Sequence, residues 1–216
     1  MKKIVLMAMF AIVGMMFAFC STGGAYFART YTEEIDGIQS IQVDVRDRKI
    51  VIAPSNDHAV HISCFESEKE HYSLTNDGNV LKLEYVQNKS WFDFIGTKPK
   101  DEMRVIMISL PADRLDDLSL STTNEDIILN NITVLKNLYV SNTNGNIALD
   151  NIDAGASIAL VNKNGEIYGS IVGGYDDYAI SVSIKKGDSN LASKDGGTKS
   201  LVVSNNNGNI DLTLKK

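Results

Sequence analysis

Five turns of one kind recur through the second half of the chain: Asn124-Glu125-Asp126, Asn144-Gly145-Asn146, Asn164-Gly165-Glu166, Lys186-Gly187-Asp188 and Asn207-Gly208-Asn209. Their first residues are 20, 20, 22 and 21 positions apart. Each follows a short strand-like run ("LSLST", "LYVSN", "IALVN", "ISVSI", "LVVSN"), and all but the Lys186 turn lead into another ("IILNNI", "IALDNI", "IYGSI", "IDLTL"). A fixed period of this length marks units that stack, because one short unit cannot bury its own apolar face.

Two architectures can carry such a repeat. In an antiparallel meander or sandwich, each Asn-Gly is a hairpin turn between paired strands. In a parallel β-solenoid, each copy of about 20 residues is one coil, and each strand pairs with its equivalent in the next coil. Side-chain parity favours the solenoid. Leu138 and Val140 point to one side of their strand, and Ile147 and Leu149 to one side of the next, so both pairs can face a common interior. Each buried aliphatic group is worth ~1.5–3 kcal/mol before chain entropy is charged against it. Stacking also sets Asn144 over Asn164 and near Asn124, where side-chain amides can bond along the stack as a ladder. A hairpin offers no reason for such repetition at one corner. Gly145, Gly165, Gly187 and Gly208 supply the bend.

The rest of the composition agrees with an all-β chain. Three prolines occur in 216 residues, and no helical period follows the first twenty. Between Ile38 and Pro111 the runs "IQSIQVDV", "KIVIAP", "AVHISCF", "YSLTNDGNVLKLEYV" and "MRVIMISLP" read as strands without a tidy repeat. "NKSWFDFIGTKPKDE" reads as an inserted loop. This half is expected to cover one open end of the stack, since a bare edge would pair with another molecule. The expected organisation is residues 1–28 as a signal peptide or membrane anchor and 29–216 as one β-solenoid domain. Within that domain, 35–112 form the irregular part and 113–216 the regular repeats.

The opening segment "MKKIVLMAMFAIVGMMFAFC" has the build of a secretory address: two lysines, an uncharged apolar stretch, then Cys20. Three readings fit it. Cys20 is the lipid attachment site of a lipoprotein, the chain is cut near "STGGA", or the segment stays as a membrane anchor. Phe19 and Phe17 depart from the small residue and leucine that lipoprotein processing favours. All three readings put the body of the protein outside the cytoplasm, in the cell envelope or secreted. If Cys20 is acylated or removed, Cys64 is alone and no internal disulfide supports the fold. Without Lys2 and Lys3 the balance is 19 basic against 27 acidic residues, a charge of -8. Such a surface repels nucleic acid and anionic headgroups.

"IQSIQVDVRDRKIVIAP", a strand ending in "ISLP" and the repeated "NGNI" or "NGEI" turns together resemble a bacterial adhesin-like family of unknown function with β-strand repeats. The resemblance covers roughly residues 35 to 214. It implies a right-handed β-solenoid on the cell envelope, and the adhesive role in the family's description rests on architecture. Glu125 in place of glycine, and the Lys186-Gly187-Asp188 turn, are departures expected to leave the asparagine ladder incomplete at both places.

No catalytic constellation emerges. His58 and His61, three apart on a strand, face opposite ways and cannot chelate together; His61 and Cys64 fail likewise. Cys64 shares the parity of Val60 and Ile62 and reads as a buried small hydrophobe. Asp126, Glu166 and Asp188 read as solvated edge charges rather than a calcium ladder, because Asn146 and Asn209 interrupt them. No metal or cofactor is expected. Trp91, Phe92 and Phe94 concentrate aromatic surface in one loop and either pack over the end of the stack or contact a partner, a glycan or a membrane. Three functions follow in order of preference. The first is a non-enzymatic, adhesin-like envelope protein presenting a surface to an envelope or host protein or glycan. The second is an envelope-stress sensory component, and the third a polysaccharide-active enzyme. Membrane contact is expected only through the N-terminal segment.

Overall fold

The computed structural model describes residues 18–19, 26–88, 99–111 and 114–216. In the front half the strands are β1 (Ala18–Phe19), β2 (Tyr26–Glu34), β3 (Ser40–Asp44), β4 (Lys49–Ser55), β5 (Ala59–Glu66), β6 (Glu70–Asp77), β7 (Val80–Gln87) and β8 (Val105–Pro111). The repeats contribute β9 (Asp117–Thr122), β10 (Ile127–Asn130), β11 (Thr133–Val134), β12 (Asn137–Asn144), β13 (Ile147–Ala154), β14 (Ser157–Asn164), β15 (Ile167–Val172), β16 (Tyr178–Lys186), β17 (Lys199–Asn207) and β18 (Ile210–Lys215). Among the described residues these strands form two mixed sheets. The first runs β1-β2-β5-β8-β4-β10-β13-β15-β18, with β11 beside β13, and the second runs β16-β17-β14-β12-β9-β3-β7-β6.

The repeat strands pair in parallel, each with its equivalent in the next copy. Leu118, Leu138, Ile158 and Leu201 lie in one lateral row, and Ile127, Ile147, Ile167 and Ile210 in another. All eight are buried. The two strands of one copy, such as β12 and β13, belong to opposite sheets, so the Asn-Gly step between them is a corner and not a hairpin turn. A hairpin does occur at Asn76–Asn79, where β6 and β7 pair antiparallel and Asp77 faces Val80. One cluster of buried apolar side chains runs between the sheets from Ile35 to Leu212.

The stack does not follow chain order at its C-terminal end. β17 lies between β14 and β16, and Gly187 stacks on Gly208 rather than on Gly165. The last copy thus inserts between the third and fourth. Its composition explains this: Leu201, Val203, Ile210 and Leu212 fill an interior layer in both sheets. The fourth copy follows its turn with the polar "SNLASKDGGTK", which has too few apolar groups for a layer covered on both sides. It can only close the stack. There, Lys194 exchanges backbone hydrogen bonds with Ile180 on the outer edge of β16, and the Asn190 amide bonds to the backbone N–H and C=O of Leu212 as a neighbouring strand would. At the other end β3 and β4 continue the parallel register, while β2, β5 and β6 add antiparallel strands beyond them. Both ends are finished by units unlike the repeats, which protects against edge pairing.

Candidate functional site

The Asn-Gly corner is built from two rows of asparagine. On its outer side Asn144 Nδ2 donates to Asn124 Oδ1 at 2.7 Å, Asn164 Nδ2 to Asn144 Oδ1 at 2.7 Å and Asn207 Nδ2 to Asn164 Oδ1 at 2.6 Å. Asn124 in turn donates to Asp47. On the inner side Asn142, Asn162 and Asn205 are buried, and their Nδ2 atoms donate to the carbonyls of Glu125, Gly145 and Gly165 at 2.8–2.9 Å. Gly165 shows why the corner excludes larger residues. Its φ is 128°, and a Cβ there would lie 2.1 Å from the Gly145 carbonyl oxygen.

The expectation that Glu125 interrupts the ladder is corrected here. Glu125 does not adopt positive φ, so its turn needs no glycine and Asn124 still takes its place in the row. The Glu125 carboxylate meets Arg104. The ladder does end at the fourth copy, where Lys186, in register with Asn207, has no amide to offer. Around the same corner Asp126 Oδ1, Asn146 Oδ1 and Asn209 Oδ1 accept the backbone N–H groups of Asn146, Glu166 and Asp188 at 2.8–3.0 Å. The Asp126 carboxylate and the Asn146 and Asn209 amides therefore serve the backbone, and among the described residues no group of His, Cys, Asp or Glu is arranged to hold a metal ion.

Exposed apolar surface gathers on the outer face of the first sheet. Met107, Val51, Ile128, Ala148 and Tyr168 are lateral neighbours in one row, on β8, β4, β10, β13 and β15. At about 4.8 Å per strand the row is about 19 Å long. Met107 is 58% and Tyr168 42% exposed, and the three between are half-buried. Asp211 on β18 continues the row. A hollow of about 370 Å³ lies beside Tyr168, over Asp150, Gly169, Ser170, Thr213 and Lys215. The opposite sheet carries a shorter patch in which Tyr139, Ala159 and Val202 are neighbours.

The front half holds a buried polar cluster that the sequence did not announce. Arg48 is 2% exposed, and its Nη2 lies 3.0 Å from Glu70 Oε2. Its Nε donates to the Tyr72 hydroxyl at 2.8 Å and its Nη1 to the Asp47 carbonyl at 3.0 Å. The guanidinium also stands 4.9 Å from the centre of the Tyr85 ring. Tyr26 and Tyr85 donate their hydroxyls to Glu70. Burial works against the Arg48 charge, but Tyr72, Glu70 and Tyr85 outweigh it and hold the guanidinium protonated more firmly than usual. Burial pushes the Cys64 thiol up, which makes it inert. His61 is paired with Asp57 at 2.8 Å on the surface. Hydrogen bonds from Ser55, His61 and the Ala59 N–H lower the Asp57 carboxyl to about 2.

Of the residues singled out from sequence, the turn asparagines and glycines meet at one corner. Cys20, Trp91, Phe92 and Phe94 lie outside the described residues. Among the described residues no helix is long and apolar enough to cross a membrane.

The family model described as Toastrack DUF4097 matches residues 38–215. The chain belongs to the Toastrack DUF4097 family. No curated protein sequence matches it. A candidate cell adhesion protein from Clostridium sporogenes superposes on this Toastrack chain with a TM-score of 0.60 at 17% identity, over 87% of this chain and 99% of that one. That likeness shows a shared fold. A candidate adhesin from Bacteroides fragilis matches at TM-score 0.36 and 13% identity, over 86% of this chain and 97% of its own. A third, a candidate adhesin from Parabacteroides merdae, matches at 0.34 and 12% over 86% and 77%. What this Toastrack member shares with the Clostridium protein is its all-β fold.

Proposed function

We propose that this chain is a non-enzymatic, adhesin-like protein of the cell envelope, and that the outer face of its first sheet is the surface it presents to an envelope or host ligand. The repeats form a β-solenoid segment, right-handed as the family resemblance implies, which holds that face rigid. The N-terminal segment supplies export and attachment, through Cys20 lipidation or as an anchor. The observation that carries the reading is the Met107–Tyr168 row. Five apolar side chains on strands from both halves of the chain line up on one outer face, Met107 and Tyr168 exposed and Val51, Ile128 and Ala148 half-buried, in a protein with a charge of -6, and apolar surface of that kind marks contact with another molecule. The Clostridium relative's description as a candidate cell adhesion protein supports it.

Cells producing the full chain should retain soluble envelope or host-surface material that control cells release, and Met107→Glu with Ile128→Glu should abolish the retention. Equal retention by producing and control cells would reject the reading. Release of sugars from that material would replace it with an enzymatic one. Incorporation of a palmitate analogue that Cys20→Ala removes would establish the lipid anchor.

A further inference from the structure

We propose that the trough around Tyr168 is a carbohydrate-binding site that takes a neutral or amino-bearing sugar and rejects an acidic one. This rests on the reading of the first sheet as a ligand-presenting face and assigns its ligand class. Two hollows, of about 370 and 330 Å³, share Tyr168 and Asp211. The first extends toward Gly169, Ser170 and Lys215, the second toward Glu166 and Asn209. Together they run along β15 and β18 on both sides of one exposed aromatic ring, as open hollows on the sheet surface.

The trough lies where β15 runs one residue short. Leu149 pairs with Gly169 but Ile152 with Ile171, so three steps of β13 face two of β15. Gly169 has φ 128°, and a Cβ there would come 1.8 Å from the Leu149 carbonyl oxygen, so no side chain can fill the floor. Ser170 turns inward instead, and its Oγ accepts the Asn151 N–H at 2.8 Å.

The lining matches a sugar. The Tyr168 ring offers a flat apolar face to the C–H face of a pyranose. Asp150, Asp211 and Glu166 carry acceptors for hydroxyl or ammonium protons, and the exposed Thr213 hydroxyl can both donate and accept. The two aspartates are held in place: Asn190 Nδ2 donates to Asp211 Oδ1 at 2.9 Å, and Ser170 Oγ to Asp150 Oδ1 at 3.4 Å. Three carboxylates face the single ammonium of Lys215, a field that repels uronic or sialic acids. An extended peptide would need a free backbone edge to add to a sheet; β15 is paired on both sides, with β13 and β18, and beyond β18 the backbone of Ile210 and Leu212 is already taken by Asp188 and Asn190.

The test is binding of the full chain in detergent to an array of neutral, amino-bearing and acidic glycans, compared with Tyr168→Ala, Tyr168→Phe and Tyr139→Ala. Tyr139 is a fair control because it is 43% exposed on the opposite sheet. Neutral or amino glycans should bind. Tyr168→Ala should weaken them about tenfold or more, Tyr168→Phe by less than about threefold, and Tyr139→Ala not at all. Undiminished binding by Tyr168→Ala, or a preference for acidic glycans, would overturn the assignment. So would binding of neutral glycans that raised salt abolishes, because no charge takes part in that contact. Retention of surface material without any glycan bound would remove the carbohydrate assignment and leave the adhesive function standing; no retention and no glycan binding would remove both.

Discussion

Asn164 and Asn144 occupy the same corner of adjacent layers, with Asn164 Nδ2 2.7 Å from Asn144 Oδ1. Asn164 also accepts from Asn207, so it takes part in two ladder bonds while Asn207 makes one. At about 1 kcal/mol net per neutral hydrogen bond, Asn164→Ala should cost about 2 kcal/mol and Asn207→Ala about half that. Urea denaturation of the two variants measures the difference. Equal losses would mean that the ladder is ornament on a corner held by glycine and backbone bonds alone.

The inner row gives a sharper comparison. Asn162 donates to the Gly145 carbonyl, and two layers away Thr122 does the equivalent work, giving its hydroxyl to the Arg48 carbonyl at 2.7 Å. Threonine and valine have nearly the same shape, but only threonine carries a donor. Asn162→Val should therefore be less stable than Asn162→Thr by about 1–3 kcal/mol, the cost of leaving a buried carbonyl unmet. Thermal melting of the pair checks it, with similar melting temperatures the unfavourable outcome.

Much of this corner is legible in the sequence, because Asn144, Asn164 and Asn207 sit at equivalent places in a repeat and the repeat forces them together. Periodicity carries position but not order. It places Lys186-Gly187-Asp188 in the series without revealing that the last copy slips inside it; the clue was the polar stretch from Ser189 to Lys199, which could not fill a layer. The apolar row is half legible. Ile128, Ala148 and Tyr168 share one position in three copies, whereas Met107 and Val51 join them only through pairings that no repeat encodes. The trough depended on a single missing residue between Gly169 and Ile171. Arg48 and Glu70 lie 22 residues apart in strands without a period, so nothing in the sequence brings them to one buried site.

That buried pair makes its own prediction. Arg48 and Glu70 are both nearly inaccessible, with side-chain exposures of 2% and 4%. Removing either one breaks a buried ion pair, so Arg48→Met or Glu70→Leu should each cost about 3–5 kcal/mol. The double replacement removes both charges and should cost less than the sum of the single changes, by a coupling of at least about 1 kcal/mol. A double-mutant cycle in urea measures it. Additive losses would show that the two groups act independently, through their tyrosine partners.

Those tyrosines set the alkaline limit of the fold. Burial, then the hydrogen bond to Glu70 and its charge, push the Tyr26 hydroxyl up to about 12. Burial, with Asp153 and Asp177 nearby, pushes Tyr178 to about 12 as well. Tyr31, Tyr72 and Tyr85 are raised further, again by burial first. An unfolded chain releases phenolic protons near pH 10. Between about pH 10 and 12 the unfolded state therefore binds fewer protons than the folded one, and stability must fall as pH rises. Below pH 10 both states keep these protons and the contribution is intact. The urea midpoint should hold level with respect to these groups up to about pH 10 and then drop steeply, with the 295 nm rise of buried tyrosinate coinciding with loss of the β signal. If the buried tyrosines ionise in a chain that stays folded through pH 12, the polar cluster around Glu70 is open to water and its assignment as a closed structural core is wrong.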